Sequence, residues 1–132
     1  MEAAIRSSFL GSLFFLLLLI ACEERVAPID VSYEANIQEA IFNLSCLVGC
    51  HDSSRQAGLE LTSWETLMEG GVRLVILAGN AEESPLVWSI EGKNALGVPV
   101  SLMPPIGLGF PPLNGAEIKL IKDWIDQGAK NN

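Results

Sequence analysis

Positive charge is scarce in this sequence: eight Lys and Arg stand against sixteen Asp and Glu, a formal net charge of −8 over 132 residues. A phosphate backbone is met with a basic surface, so this charge balance argues against nucleic acid as a partner. A protein with a basic face would instead be steered toward this one. Histidine occurs once, at His51, and cysteine three times, an odd number for a secreted disulfide framework. No internal repeat is present, and nothing is of low complexity beyond an apolar run near the N-terminus. That run, "FLGSLFFLLLLI" (Phe9 to Ile20), falls short of the roughly 20 residues a spanning helix needs. The length allows one small domain.

The apolar run fits the core of a secretion signal. It is followed by "LIAC" (Leu19 to Cys22), which resembles a bacterial lipobox, whose cysteine is lipidated and becomes the first mature residue. Residues 1–21 are therefore expected to be a lipoprotein signal peptide, and 22–32 a lipidated tether. Residues 33–132 are expected to form the folded domain. One acyl chain anchors only marginally and two or more anchor stably, so a lipoprotein cysteine with its palmitate-type chains makes a membrane tether. The expected location is exported and lipid-anchored to the bacterial cell envelope. The anchor would face the periplasm or the cell surface, with the outer membrane favoured in a Gram-negative cell.

Assigning Cys22 to lipid leaves a pair beside the only histidine, in "CLVGCHD" (Cys46 to Asp52). Haem attachment usually takes C-x-x-C-H, whereas Cys46 and Cys50 enclose three residues. Residues three and four apart share a helix face, so both spacings can present two thiols to one side. Gly49 is the residue best able to absorb the extra position, and the Cys50–His51 step is unchanged. Two other readings stand beside haem. A structural zinc site needs four ligands, and here Asp52 would have to join Cys46, Cys50 and His51. A Cys46–Cys50 disulfide would suit an oxidising compartment but would close a very short loop.

Along the chain, Ile37, Ile41, Phe42 and Leu44 have helical spacing, predicting a helix from about Tyr33 into the cysteine motif. Thr62 and Glu65 form a capping-box pattern before a short helix stopped by Gly70 and Gly71. Ser84 and Pro85 open another that Gly92 stops. The prolines and glycines between Lys93 and Leu113 exclude a long helix or central strand there. Asn114 and Glu117 cap a last helix with an Ile118, Ile121, Trp124, Ile125 stripe, ended by Gly128. The fold class is mostly α. After removal of Met1 with the signal, Met68 and Met103 remain, and a methionine is more often packing than ligand. Met68 has helical spacing from Trp64, whereas Met103 lies in the stiff "SLMPPIG" loop.

From Tyr33 to Ala129 the chain resembles the cytochrome c superfamily, in particular the planctomycete-type cytochrome c domain. The resemblance rests on "CLVGCHD", "AGLELTS", "EGG", "AGNAEESPL", "LMPPIG" and "LNGAEIKLIKDWIDQGA", in that order. The chain departs from the pattern in the added residue between the cysteines and in Ala78, where the family tends to have proline. The resemblance implies a class I-like cytochrome c fold in which N- and C-terminal helices cross and short helices and long loops surround one haem. It implies haem c as cofactor, with Cys46 and Cys50 as thioether sites, His51 as proximal iron ligand and Met103 as distal ligand. Trp64, Trp88 and Trp124 then become candidates for packing beside the porphyrin or in the helix crossing. Arg73 becomes a candidate for a propionate, though a solvated surface Arg is the commoner case. A six-coordinate His/Met iron has no open site, so the expected function is single-electron transfer to a redox partner protein, not enzymatic catalysis. The alternatives are a haem protein with an open distal face, binding peroxide or a gas, and a structural lipoprotein with a Cys46–Cys50 disulfide. No acid–base pair for peroxide chemistry is evident, because the one histidine is already used.

Overall fold

The computed structural model describes residues 29–132, so the signal peptide and the Cys22 lipid site expected from the sequence lie outside the described residues. The architecture is helical, with no strand among the described residues beyond one isolated antiparallel bridge, Lys93 to Pro99. None of these helices is long and apolar enough to cross a membrane.

The first element is a π-wound helix, Tyr33–Phe42, capped by the Ser32 hydroxyl, which accepts from the Ala35 amide. It buries Tyr33, Ile37, Ile41 and Phe42. The expected stripe stops there, because Leu44 is 68% exposed. A π turn is wider than an α turn, and Leu44, in the short α turn that follows (α1, Asn43–Ser45), no longer keeps phase with the buried face. Helix α2 (Trp64–Glu69) is capped one residue later than expected, by Ser63 with Thr66. The Thr62 hydroxyl donates to the Glu60 carboxylate, and the Thr66 amide donates to the Ser63 hydroxyl. The predicted stop is correct: Gly70 has φ +75°.

Helix α3 (Pro85–Glu91) begins with proline at its first position and ends at left-handed Gly92, as predicted. Ser84 precedes it but does not cap it. Its fully buried hydroxyl accepts from the Leu77 amide at 2.9 Å and donates to the Asn80 carbonyl at 2.9 Å. The serine therefore closes the loop that leads into the helix. Helix α4 (Gly115–Asp126) has the predicted Asn114–Glu117 capping box and buries Ile121, Trp124 and Ile125.

The first and last helices pack together, with the Tyr33 and Trp124 rings 5.3 Å apart and tilted by 39°. Packing begins before the first helix. Val31 is buried, its amide donates to Gln127 Oε1 at 2.9 Å, and Gln127 Nε2 donates to the Ile29 carbonyl at 2.8 Å. Gln38 is a buried polar side chain within this core. It accepts from the Tyr33 hydroxyl and donates to the Leu61 carbonyl at 3.0 Å. Burial, helped by Glu34 and Glu65, raises the Tyr33 phenol above its usual range, so the ring stays a neutral donor in this bond.

Candidate functional site

The cysteine–histidine motif folds as a single wide turn, Leu47–His51. The His51 amide reaches back to the Cys46 carbonyl at 3.2 Å, a link spanning five residues. With the ordinary two-residue spacing the same link would span four, an α turn. The added residue is thus absorbed by a non-helical kink at Val48 and Gly49, inside a turn that the five-residue link closes. The adjustment falls where the sequence predicts it. Gly49 is left-handed (φ +71°, ψ 8°), beside Val48 at ψ 102°, and a Cβ on Gly49 would meet nothing within 4 Å. Glycine is needed there for torsion, not for space.

Asp52 closes the turn. Its carboxylate accepts from the Ser54 amide at 2.8 Å and the Gly49 amide at 3.2 Å. Hydrogen bonds from Ser54 first, then from Gly49, hold this carboxyl below its usual range. The zinc reading required Asp52 as a fourth ligand. No group of three or more His, Cys, Asp or Glu side chains among the described residues converges to hold an ion. Cys46 and Cys50 are both free thiols and half-buried, so no disulfide joins them. Burial, with smaller contributions from Cys50 and Glu117, pushes the Cys46 thiol up to about 12.

The orientation of His51 carries the most chemical information. Its Nδ1 lies 3.2 Å from the Leu59 carbonyl oxygen. A carbonyl only accepts, so Nδ1 bears the proton and Nε2 of the neutral ring keeps its lone pair. This is how imidazole metal ligands are oriented and made more basic. The backbone is tied to the same segment, because the Leu61 amide donates to the His51 carbonyl at 2.7 Å. Leu61 in turn is held by Gln38. Sequence reading does not single out Leu59 or Gln38, since a backbone carbonyl leaves no side-chain signature.

Two cavities flank the motif, of about 530 and 380 Å³, both within the usual range for bound organic ligands. Cys46, His51 and Met103 line both. Met103 arrives from the proline-rich loop, its amide fixed to the Ser89 carbonyl at 2.9 Å. Leu59, Leu61, Leu86 and Ile90 give the larger cavity apolar walls, and Pro104, Pro105, Leu108 and Phe110 do so for the smaller. The four residues expected from sequence are thus gathered: Cys50 lines the smaller cavity and the other three line both. A porphyrin fits this donor set and lining: two free thiols, one imidazole nitrogen with an available lone pair, one thioether and apolar walls.

Met68 lines neither cavity and packs against the core. The three tryptophans also line neither. Their indole N–H groups donate to the carbonyls of Ala129, Glu82 and Lys130, for Trp64, Trp88 and Trp124 respectively. Trp124 is in the core and Trp64 packs against it, whereas Trp88 is half-buried outside the core cluster. Arg73 is exposed, lines the larger cavity and forms no ion pair among the described residues.

Residues 46–107 match a family model described as planctomycete cytochrome C. It runs from the first cysteine of the motif to just beyond Met103 and its two prolines. No curated protein and no solved structure matches the chain.

Proposed function

We propose that this chain, whose residues 46–107 carry a planctomycete cytochrome C domain, is a lipid-tethered electron-transfer protein holding one haem c. Cys46 and Cys50 would hold the haem through thioether bonds, and His51 Nε2 and the Met103 sulfur would be its iron ligands. A haem held by these residues would supply single-electron exchange, at a potential raised by a thioether ligand. The observation that supports the reading best is the His51 ring, whose Nδ1–H is committed to Leu59 while the residue lines both cavities.

The chain's own residues then have distinct tasks. Leu59, Leu61, Leu86 and Ile90 exclude water on one side of the slot. The Ser89 carbonyl and the two prolines after Met103 keep the thioether from drifting. The packing of the first helix on α4 through Tyr33 and Trp124 supports a class I-like arrangement. With its one imidazole committed to iron, the site has no histidine left for acid–base work, which favours transfer over catalysis. An acidic surface suits a redox partner with a basic face. Cys22 would anchor the mature protein to the envelope membrane after export.

The test uses Cys22→Ser expressed with its signal. The variant is expected to leave the membrane fraction, keep its haem, and titrate as a one-electron couple with no carbon monoxide adduct in the reduced state. Loss of haem in a stable, exported variant would show that the cysteines are allocated wrongly. Ready binding of carbon monoxide would favour the open-face alternative.

A further inference from the structure

The Leu59 carbonyl that holds His51 ends a turn wound through left-handed residues. The Gly58 amide closes it on the Arg55 carbonyl at 2.7 Å, and the Leu59 amide on the Gln56 carbonyl at 3.2 Å. Arg55, Ala57 and Gly58 have φ of +51°, +56° and +75°. A left-handed conformation costs a non-glycine residue roughly 1–2 kcal/mol, and persists only where the surroundings impose it. The Arg55–Glu60 ion pair, its arginine exposed and its carboxylate half-buried, spans the turn and adds a modest contribution. The closest neighbour of the turn is the segment after α2. There the Val72 amide faces the Ala57 carbonyl at 3.4 Å, and Gly71 lies directly against the backbone of residues 57–59.

We propose that Gly71 is a positioning residue for His51. Its lack of a side chain lets residues 70–73 press on the 57–59 turn, and that contact keeps the Leu59 carbonyl aligned with the imidazole. A Cβ at Gly71 would stand 2.8 Å from the Ala57 carbonyl oxygen and 3.0 Å from the Leu59 nitrogen. Both are backbone atoms, so no side chain can swing aside. Gly71 has none of the left-handed φ that Gly70 has, so its requirement is contact and not torsion. The two adjacent glycines have different requirements: Gly70 needs both its left-handed torsion and close approach to the Arg73 carbonyl, whereas Gly71 needs only the approach to residues 57–59.

The consequence for His51 is direct. Its bond to Leu59, at 3.2 Å, is already at the long end for N–H···O, and a few tenths of an ångström would break it. Leu61 is held separately, by Gln38 and by the His51 carbonyl, so the motif stays attached while the ring loses its acceptor. An imidazole without that acceptor is a less basic ligand, which favours the reduced iron. The inference rests on the reading of His51 as an iron ligand only for that last effect.

The experiment compares haem-loaded Gly71→Ala with Gly115→Ala, an ordinary-φ glycine whose Cβ would meet nothing within 4 Å. Solvent exchange of the His51 Nδ1–H is followed by NMR, and the reduction potential is measured alongside. Gly71→Ala is expected to speed exchange about tenfold, as for loss of a typical hydrogen bond, and to move the potential to a more positive value. Gly115→Ala should change neither. If Gly71→Ala does not fold, Ala57→Gly is added, which relaxes the left-handed residue whose carbonyl meets the new methyl. A folded Gly71→Ala protein, alone or with Ala57→Gly, whose exchange matches wild type overturns the proposal. Failure of both variants to fold also overturns it, since the glycine would then serve the fold and not the histidine. A wild type without haem would contradict the site reading instead, and the exchange comparison would still be made in the haem-free proteins.

Discussion

Replacing Met103 with alanine is expected to leave the haem covalently attached yet abolish the weak near-infrared sulfur-to-iron charge-transfer band of the oxidised protein. The same change should lower the reduction potential and let the reduced protein bind carbon monoxide, which wild type should resist. Met103 is half-buried, and its backbone is fixed independently of its side chain, through the Ser89 carbonyl. Truncation should therefore remove the thioether without collapsing the loop. Met68→Leu is the control. Met68 packs against the core and lines neither cavity, so a near volume-conserving swap should cost less than about 1.5 kcal/mol and leave the spectrum unchanged. Loss of the band in Met68→Leu with its retention in Met103→Ala would refute the ligand assignment.

Trp124→Ala should have the largest effect on stability, a loss of roughly 3–5 kcal/mol. The side chain is 1% exposed, stacks obliquely on Tyr33, and donates to the Lys130 carbonyl. Its removal takes the central contact from the packing of the first helix on α4. A small domain has only about 5–15 kcal/mol in total, so a urea midpoint should fall far or the transition should vanish. Trp88→Ala, at a half-buried site away from this contact, should cost clearly less. Equal losses for the two would mean that the Tyr33–Trp124 packing does not hold the domain together.

The features legible in the sequence are those written at fixed local offsets. Asn114 with Glu117, Pro85 with Gly92, and Gly49 in the motif each act within a few residues, and each has its predicted backbone role. The misreadings have tertiary causes. Thr62 has the right offset from Glu65, but its hydroxyl turns to donate to Glu60 and Ser63 caps the helix one residue later. Ser84 has the right position, but Leu77 and Asn80 take its side chain. Leu44 falls out of phase because the first helix is wound more widely than an α-helix.

For the site, Cys46, Cys50, His51 and Met103 carry distinctive side chains, and the chain gathers all four around adjoining cavities. Leu59 and Gly71 were not legible as site residues. One acts through its carbonyl and the other through a missing side chain, and both depend on contacts that local patterns do not encode. Arg73 has the exposure expected of a surface arginine, although it also borders the larger cavity.

The central claim is that Cys46 and Cys50 hold a haem, and a haem stain on a denaturing gel tests it most directly. Wild type should stain at its own molecular mass after boiling in denaturant, because thioether bonds survive unfolding and iron ligation does not. The Cys46→Ala, Cys50→Ala double variant should migrate unstained. An unstained wild type, or a stained double variant, would contradict the account.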